Sequence, residues 1–250
     1  MEKIKLMSHL VAGYPTDELA FAAASAMVKG GADILEIQLA FSDPSADGPA
    51  IQKASTEVLS RNYRVRDGLA FIAKLHGAFP HTTIYLMSYG SLVYTPGVEN
   101  FCKAASEAGV RGMIIPDLPF DCDEGLTLAC KKYGMENIPV ASPSMSAERL
   151  SKMAHAGFEH IYASLRVGIT GTATVIDSDT LTFLKKVREG GSKVYGGFGI
   201  STGEQSKALA DSVDGIVAGS VFVRLIEKNA ADKKTLVEAV EAKARELCGL

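Results

Sequence analysis

Glu36 and Asp47 are the residues whose types and spacing suggest chemistry first. They lie in "DILEIQLAFSDPSADGPAIQ" (residues 33–52) with ten residues between them. The stretch 34–40 reads as an apolar strand, and side chains on a strand alternate faces. Glu36, Gln38 and Ala40 therefore share one side, while Leu35, Ile37 and Leu39 share the other. Charge on an otherwise apolar strand is costly unless it is used or paired. A glutamate pointing inward among apolar groups would have a raised pKa and could act as a general acid near neutral pH. Asp47 follows in "DPSADGP", which is turn chemistry, and could reach over the same mouth. Two carboxylates in unlike environments form a recurring acid/base pair. The competing reading is a capped turn (Asp43, Asp47) beside a solvated rim glutamate, and spacing alone does not decide between them.

A second chemical signal lies near the end of the chain. "GGFGIST" (196–202) and "VAGSVFV" (217–223) put glycines where a strand hands over to a helical segment. Backbone N–H groups and the positive end of a helix can hold an anion there, with no need for Lys or Arg. Together they predict a phosphate site. A third glycine-bearing loop, "RVGITGTAT" (166–174), has the small and hydroxylated residues of a lid that closes over substrate.

The elements that must position these groups follow a repeated rhythm. Apolar runs predict strands at 6–13, 34–40, 82–89, 112–117, 137–142, 160–165, 193–198 and 215–219. Patterns with helical spacing lie between them, such as "DELAFAAASAMVK" over 17–29. "KGGADILE", "EAGVRGMI" and "HAGFEHIY" each place glycine between a helix and the next strand, where a left-handed cap turns the chain back. Eight such units in 250 residues predict an α/β fold, a (β/α)8 TIM barrel in one domain spanning 1–250. Catalytic groups of such barrels sit at the C-terminal ends of the strands. The alternative, a doubly wound open sheet, would prefer a GxGxxG turn after the first strand, and "VAGYPTDE" is not one.

Composition narrows the class of protein. Net charge is −3, and no basic run marks a nucleic-acid binder. No apolar run approaches the length of a membrane span. "MEKIKLMSHLVAGYP" has no small-residue cleavage signal and reads as a first strand rather than a signal peptide. Cys102, Cys122, Cys130 and Cys248 show no metal-ligand spacing, so reduced thiols in a cytoplasmic protein are expected, with no metal site.

"HLVAGYP", "FSDPSADGP", "PDLP", "GITG", "GGFGIS" and "AGS" occur in an order and at a spacing that resemble the α subunit of tryptophan synthase. The resemblance spans almost the whole chain. Its most specific element is E-x10-D within "EIQLAFSDPSAD", followed by GP. It implies a lyase of tryptophan biosynthesis that cleaves indole-3-glycerol phosphate to indole and glyceraldehyde 3-phosphate. The indole would pass to a β subunit in an α2β2 heterotetramer. Pyridoxal phosphate is expected only in that β partner, with no cofactor in this chain. By position, Glu36 matches the catalytic acid/base and Asp47 the carboxylate that holds the indole N–H. Ile51, Met87, Tyr89, Tyr162 and Phe198 match the indole pocket. Thr170 matches a lid residue whose hydroxyl would orient Asp47. Gly171, Gly199, Gly219 and Ser220 match the phosphate-binding backbone. Asp43 and Pro44 match the face turned toward the β subunit, although Asp43 also suits a plain turn.

The chain departs from the family pattern at several positions. The family reads E-L-G-x-P-F-S-D-P, and here Gln38 stands for the glycine and Ala40 for the proline. His9 stands where a pocket aromatic is common, and Gly90–Ser91 replace an Asn-containing segment. About five residues precede the first strand, so the usual N-terminal helix is expected to be absent. The departures cluster at the substrate mouth and partner face. They keep two alternatives open: a divergent or stand-alone lyase on a related phosphorylated substrate, and a weakly active subunit that mainly activates the β subunit.

Overall fold

The computed structural model describes residues 4–165 and 176–250. Nine parallel strands form one sheet: β1 (Lys5–Val11), β2 (Ile34–Gln38), β3 (Thr83–Met87), β4 (Gly112–Ile114), β5 (Glu136–Asn137), β6 (Val140–Ala141), β7 (His160–Ser164), β8 (Lys193–Gly197) and β9 (Gly215–Ala218). Their spatial order is β5-β4-β3-β2-β1-β9-β8-β7-β6. The two ends of that order are two pieces of one short stretch of chain. Ile138 N–H donates to the Met113 carbonyl on one side at 2.9 Å, and the Pro139 carbonyl accepts from Tyr162 N–H on the other at 3.0 Å. The sheet therefore closes on itself, and the open doubly wound alternative is excluded. The predicted strand 137–142 is split because Pro139 has no N–H to give to a ladder. Counted as staves, β5 and β6 are one, and the barrel has the predicted eight.

Alternation sorts the side chains into two layers. Leu6, Leu10, Leu35, Ile37, Ile84, Leu86, Ile161 and Ile216 face the surrounding helices. Met7, Ile34, Tyr85, Met87, Ile114, Tyr162, Tyr195 and Val217 pack together in the barrel interior. Tyrosine rings fit there because facing positions are glycine, the large-against-small layering of such barrels. A Cβ on Gly197 would lie 2.2 Å from the Tyr162 hydroxyl, and one on Gly215 would lie 2.7 Å from the Tyr195 ring.

The helices follow the predicted rhythm. The helix over Asp17–Lys29 starts at Thr16, whose hydroxyl accepts from Leu19 N–H, and it buries an alanine-rich face. Strand ends are shorter than predicted. β4 stops at Ile114, before Pro116, and Asp117 then turns back to accept the Gly90 N–H at 2.9 Å.

Candidate active site

The C-terminal ends of the strands enclose a pocket of about 560 Å3 including its open mouth. Glu36 and Asp47 both line it, and each is nearly inaccessible, at 4% and 3% exposure. The solvated-rim reading is thereby overturned. The β2 alternation carries Glu36 inward, as predicted, but its surroundings are not purely apolar. His9 Nδ1 stands 3.3 Å from Glu36 Oε2, because His9 and Glu36 are register partners on β1 and β2. Burial alone would discharge the His9 ring; the carboxylates of Glu36 and, more weakly, Asp47 outweigh it and raise its pKa above the ordinary value.

Asp47 is held by two donors that converge on one oxygen. Gln38 Nε2 donates to Oδ2 at 2.7 Å, and the Tyr89 hydroxyl donates to the same atom at 2.8 Å. The Tyr89 oxygen in turn accepts the Ala46 N–H at 3.2 Å. Burial pushes the Asp47 carboxyl above its usual range, and the nearby Glu36 charge adds to this. His9, Tyr89 and Gln38 hold it down. Burial is the largest of these influences, so the Asp47 carboxyl stays above its usual range despite its two donors.

Most of the residues expected in an indole pocket lie on the apolar wall of this one. Ile51, Met87, Tyr162 and Phe198 line the pocket together with Ile114 and Val140. The rings of Tyr162 and Phe198 meet edge to face at 5.9 Å. Burial, followed by the Glu36 and Asp47 charges, raises the Tyr162 hydroxyl well above its ordinary pKa, so it stays neutral. Tyr89 differs from its expected place in the wall. It is fully buried, stacked on Phe41 at 5.0 Å, and reaches the site through its bond to Asp47. Side-chain direction along the 88–91 segment is beyond what strand alternation conveys, so this role was not visible in sequence.

The glycines expected at a phosphate site stand together at one end of the pocket. Gly199, Gly219 and Ser220 line it. Gly219 opens the helix Ser220–Asn229, and no side chain caps that helix. The first N–H groups of a helix have no partner within it, so its positive end is available to an anion. Phe198 and Gly199 both have left-handed backbone, with φ of 76° and 89°. That conformation is an outlier for phenylalanine and belongs to sites where the backbone is held for function. Thr170 and Gly171 lie outside the described residues. Asp43 is exposed and Pro44 half-buried; the Asp43 carboxylate accepts the Ser42 hydroxyl at 2.6 Å and does not line the pocket.

An inward acid, a second carboxylate opposite an aromatic wall, and a glycine-bounded helix end form one pocket. The sequence profile described as tryptophan synthase alpha chain matches residues 1–249. The chain belongs to the tryptophan synthase alpha chain family. It is 38% identical over 235 residues to the tryptophan synthase alpha chain of Helicobacter hepaticus, covering 90% of this chain and 87% of that one. It is 35% identical over 246 residues to that of Aquifex aeolicus, covering 96% and 93%. Among solved structures, tryptophan synthase from Mycobacterium tuberculosis superposes with a TM-score of 0.88 at 28% identity, covering 99% of this chain and 92% of that one. The tryptophan synthase alpha chain of Legionella pneumophila gives 0.86 at 27% identity, covering 99% and 91%. Tryptophan synthase alpha chains catalyse the lyase half-reaction that cleaves indole-3-glycerol phosphate in tryptophan biosynthesis. Among the described residues no helix is long and apolar enough to cross a membrane.

Proposed function

We propose that Glu36 and Asp47 carry the lyase reaction of this chain between them. Indole-3-glycerol phosphate lies with its ring against Tyr162, Phe198, Ile51 and Met87, and its phosphate at Gly199, Gly219 and Ser220, with Gly171 completing the cradle. Glu36 delivers a proton to indole C3, which interrupts the aromatic ring and puts positive charge on the ring nitrogen. Asp47 accepts the indole N–H and stabilises that charge. As the bond between C3 and the glycerol chain breaks, Glu36 takes the proton of the glycerol hydroxyl, which becomes the aldehyde of glyceraldehyde 3-phosphate. One proton is given and one regained, so the site returns to its starting state. The observation that supports this reading is the burial of both carboxylates in the same pocket, each with its own donors.

In this reading the chain works as one unit over 1–250 with a β subunit in an α2β2 complex in the cytoplasm. The exposed Asp43–Pro44 turn contacts the partner, pyridoxal phosphate resides in the β subunit, and Thr170 belongs to the closing lid. Steady-state release of indole, with and without a β subunit, tests it. Release by the chain alone and faster release in the complex are expected. No release in either setting refutes the lyase assignment of the two carboxylates. Release only from a different phosphorylated substrate favours the divergent reading instead, for which Gln38 filling the family's glycine position is the motive.

A further inference from the structure

His9 touches both halves of the pocket. Its Nδ1 faces Glu36 Oε2 at 3.3 Å, with both side chains buried. On another side the ring packs on the turn that opens the Ser220–Asn229 helix. A Cβ added to Gly219 would lie 3.5 Å from His9 Cβ and Cγ and 3.6 Å from Cδ2. The imidazole is thus wedged between the carboxylate and the helix end. Its second nitrogen, Nε2, is bonded to Cδ2, is fully buried, and has no hydrogen-bond partner among the described residues. Leaving a buried polar atom unpaired costs about 1–3 kcal/mol. His9 is 4% exposed and lines the pocket, so a molecule bound there has access to it. The titratable groups facing it from the surrounding elements are Glu36 on β2, Asp47 in the loop after β2, and Tyr162 on β7, with Tyr89 behind Asp47. None of these supplies a partner to Nε2.

We propose that His9 ties the phosphate-bearing tail of the substrate to the placement of Glu36: Nδ1–H holds the Glu36 carboxyl while Nε2–H donates to an oxygen of the tail. This rests on the lyase reading above. An imidazole can donate through both nitrogens only when it is protonated. Occupation of the tail site by an anion therefore favours imidazolium and draws a proton from solvent. The same Nδ1–H keeps the Glu36 carboxyl placed until the indole end arrives. His9 is in this sense a substrate-binding and positioning residue, standing where the family more commonly has an aromatic ring.

Glycerol 3-phosphate, the tail without the indole, is the probe. Its binding is measured by calorimetry in buffers of different ionisation enthalpy for the wild type, His9→Phe and His9→Gln. The phosphate monoester's own ionisation, with a second pKa of about 6, contributes alike in all three, so the difference between proteins is the signal. The wild type should take up a proton on binding, and its affinity should fall as pH rises through neutrality. His9→Phe should lose the His9-dependent uptake and weaken binding about tenfold, the size of one hydrogen bond to a charged group. His9→Gln keeps a donor but does not titrate, so it should regain part of the affinity and none of the uptake. Equal proton uptake in the three proteins, or no measurable binding by the wild type, overturns the proposal. Should the variants not fold, imidazole-nitrogen NMR of the wild type decides, since one of its five histidines must become doubly protonated on adding the probe. No responding histidine overturns the proposal equally. Indole release by the wild type, run in parallel, separates the two failures. Its absence refutes the lyase reading, whereas release with unchanged proton uptake in His9→Phe refutes only the role of His9.

Discussion

Replacing Gln38 by the glycine usual in the family isolates what this departure does. The Gln38 side chain is fully buried and donates to Asp47 Oδ2 at 2.7 Å, while its own Oε1 has no partner among the described residues. Two consequences follow, with different sizes. For stability, losing a buried hydrogen bond to a charged group removes about 1.5–3 kcal/mol, and glycine in a strand costs a further ~0.5–1 kcal/mol. Removing the unpaired Oε1 returns about 1–3 kcal/mol, so Gln38→Gly should alter unfolding by only about 1–2 kcal/mol. For function no such cancellation exists, because Oε1 does not touch Asp47. The lost bond is one of three influences that hold the Asp47 pKa down against burial, beside Tyr89 and His9. Its removal lets the Asp47 pKa rise further. Asp47 must be ionised to accept the indole N–H, so the acid limb of the rate profile moves to higher pH. Tyr89 remains in place, so the loss in kcat/KM on that limb should sit at the lower end of the bond's range, about tenfold at 1.36 kcal/mol per decade. The assay is indole release across acid to neutral pH, alongside urea unfolding. An unmoved acid limb with kcat/KM unchanged would show that Gln38 does not support Asp47 in the reacting complex.

Glu36→Gln should lower indole release by at least about a thousandfold, within the range of a lost general acid/base; near-normal turnover would remove Glu36 from the mechanism. Gly197→Ala should displace the Tyr162 ring, since its Cβ would meet the hydroxyl at 2.2 Å. A loss of about 1–3 kcal/mol on unfolding is expected from such overpacking, with weaker binding of the aromatic end, and unaltered indole affinity would contradict the wall assigned to Tyr162. The fold holds the His9 pKa above its ordinary 6.5, so its stabilising contribution is complete below that value and is lost as pH rises through the folded-state value. Denaturant unfolding followed from mildly acid to alkaline pH should show this decline in the wild type and not in His9→Phe. Glu136→Gln, away from the pocket, weakens the bonds to Tyr85 (2.7 Å) and His160 (2.8 Å). It should lower the melting temperature and leave the pH dependence of indole release unchanged, and a shifted profile would mean that this network communicates with the site.

What could be read from sequence was local. Glu36 was legible as an inward residue because a strand has period two, and Ile37 and Leu39 on the other face suit a helix layer. The glycines at 199 and 219 were legible because strand-to-helix handovers need them wherever an anion is bound. The split of 137–142 was also within reach, since "NIPVAS" carries its proline in plain view. The partners of the carboxylates were not legible. The His9–Glu36 contact depends on the β1–β2 register across 26 residues of intervening chain, and a slip of one residue would turn His9 away. The Gln38–Asp47 bond depends on how the loop after β2 folds back over the barrel mouth. Turn propensity says that a loop bends there, not where its aspartate lands. Tyr89 was read as wall because aromatic residues at strand ends suit an indole pocket, and only its hydroxyl's position shows the different service.

The departures His9 and Gln38 have a common physical logic. Two carboxylates buried in one pocket oppose each other's ionisation, and Glu36 is among the influences that raise Asp47. Burial penalises each charge as well. A site that needs both groups held in place for proton transfer must therefore supply donors to each. Gln38 and Tyr89 serve Asp47 through Oδ2, whereas His9 serves Glu36 directly and Asp47 through space. Where His9 is protonated, its charge offsets part of that of the carboxylates, directly at Glu36 and through space at Asp47. In the proposed binding mode the substrate brings a phosphate dianion to the helix end beside the same imidazole. A neutral aromatic ring in place of His9 would leave that added charge to backbone dipoles alone. In this chain the residue that offsets part of the carboxylate charge is also the one next to the incoming phosphate. On the proposal made for His9, binding at the tail and placement of Glu36 are coupled through one side chain.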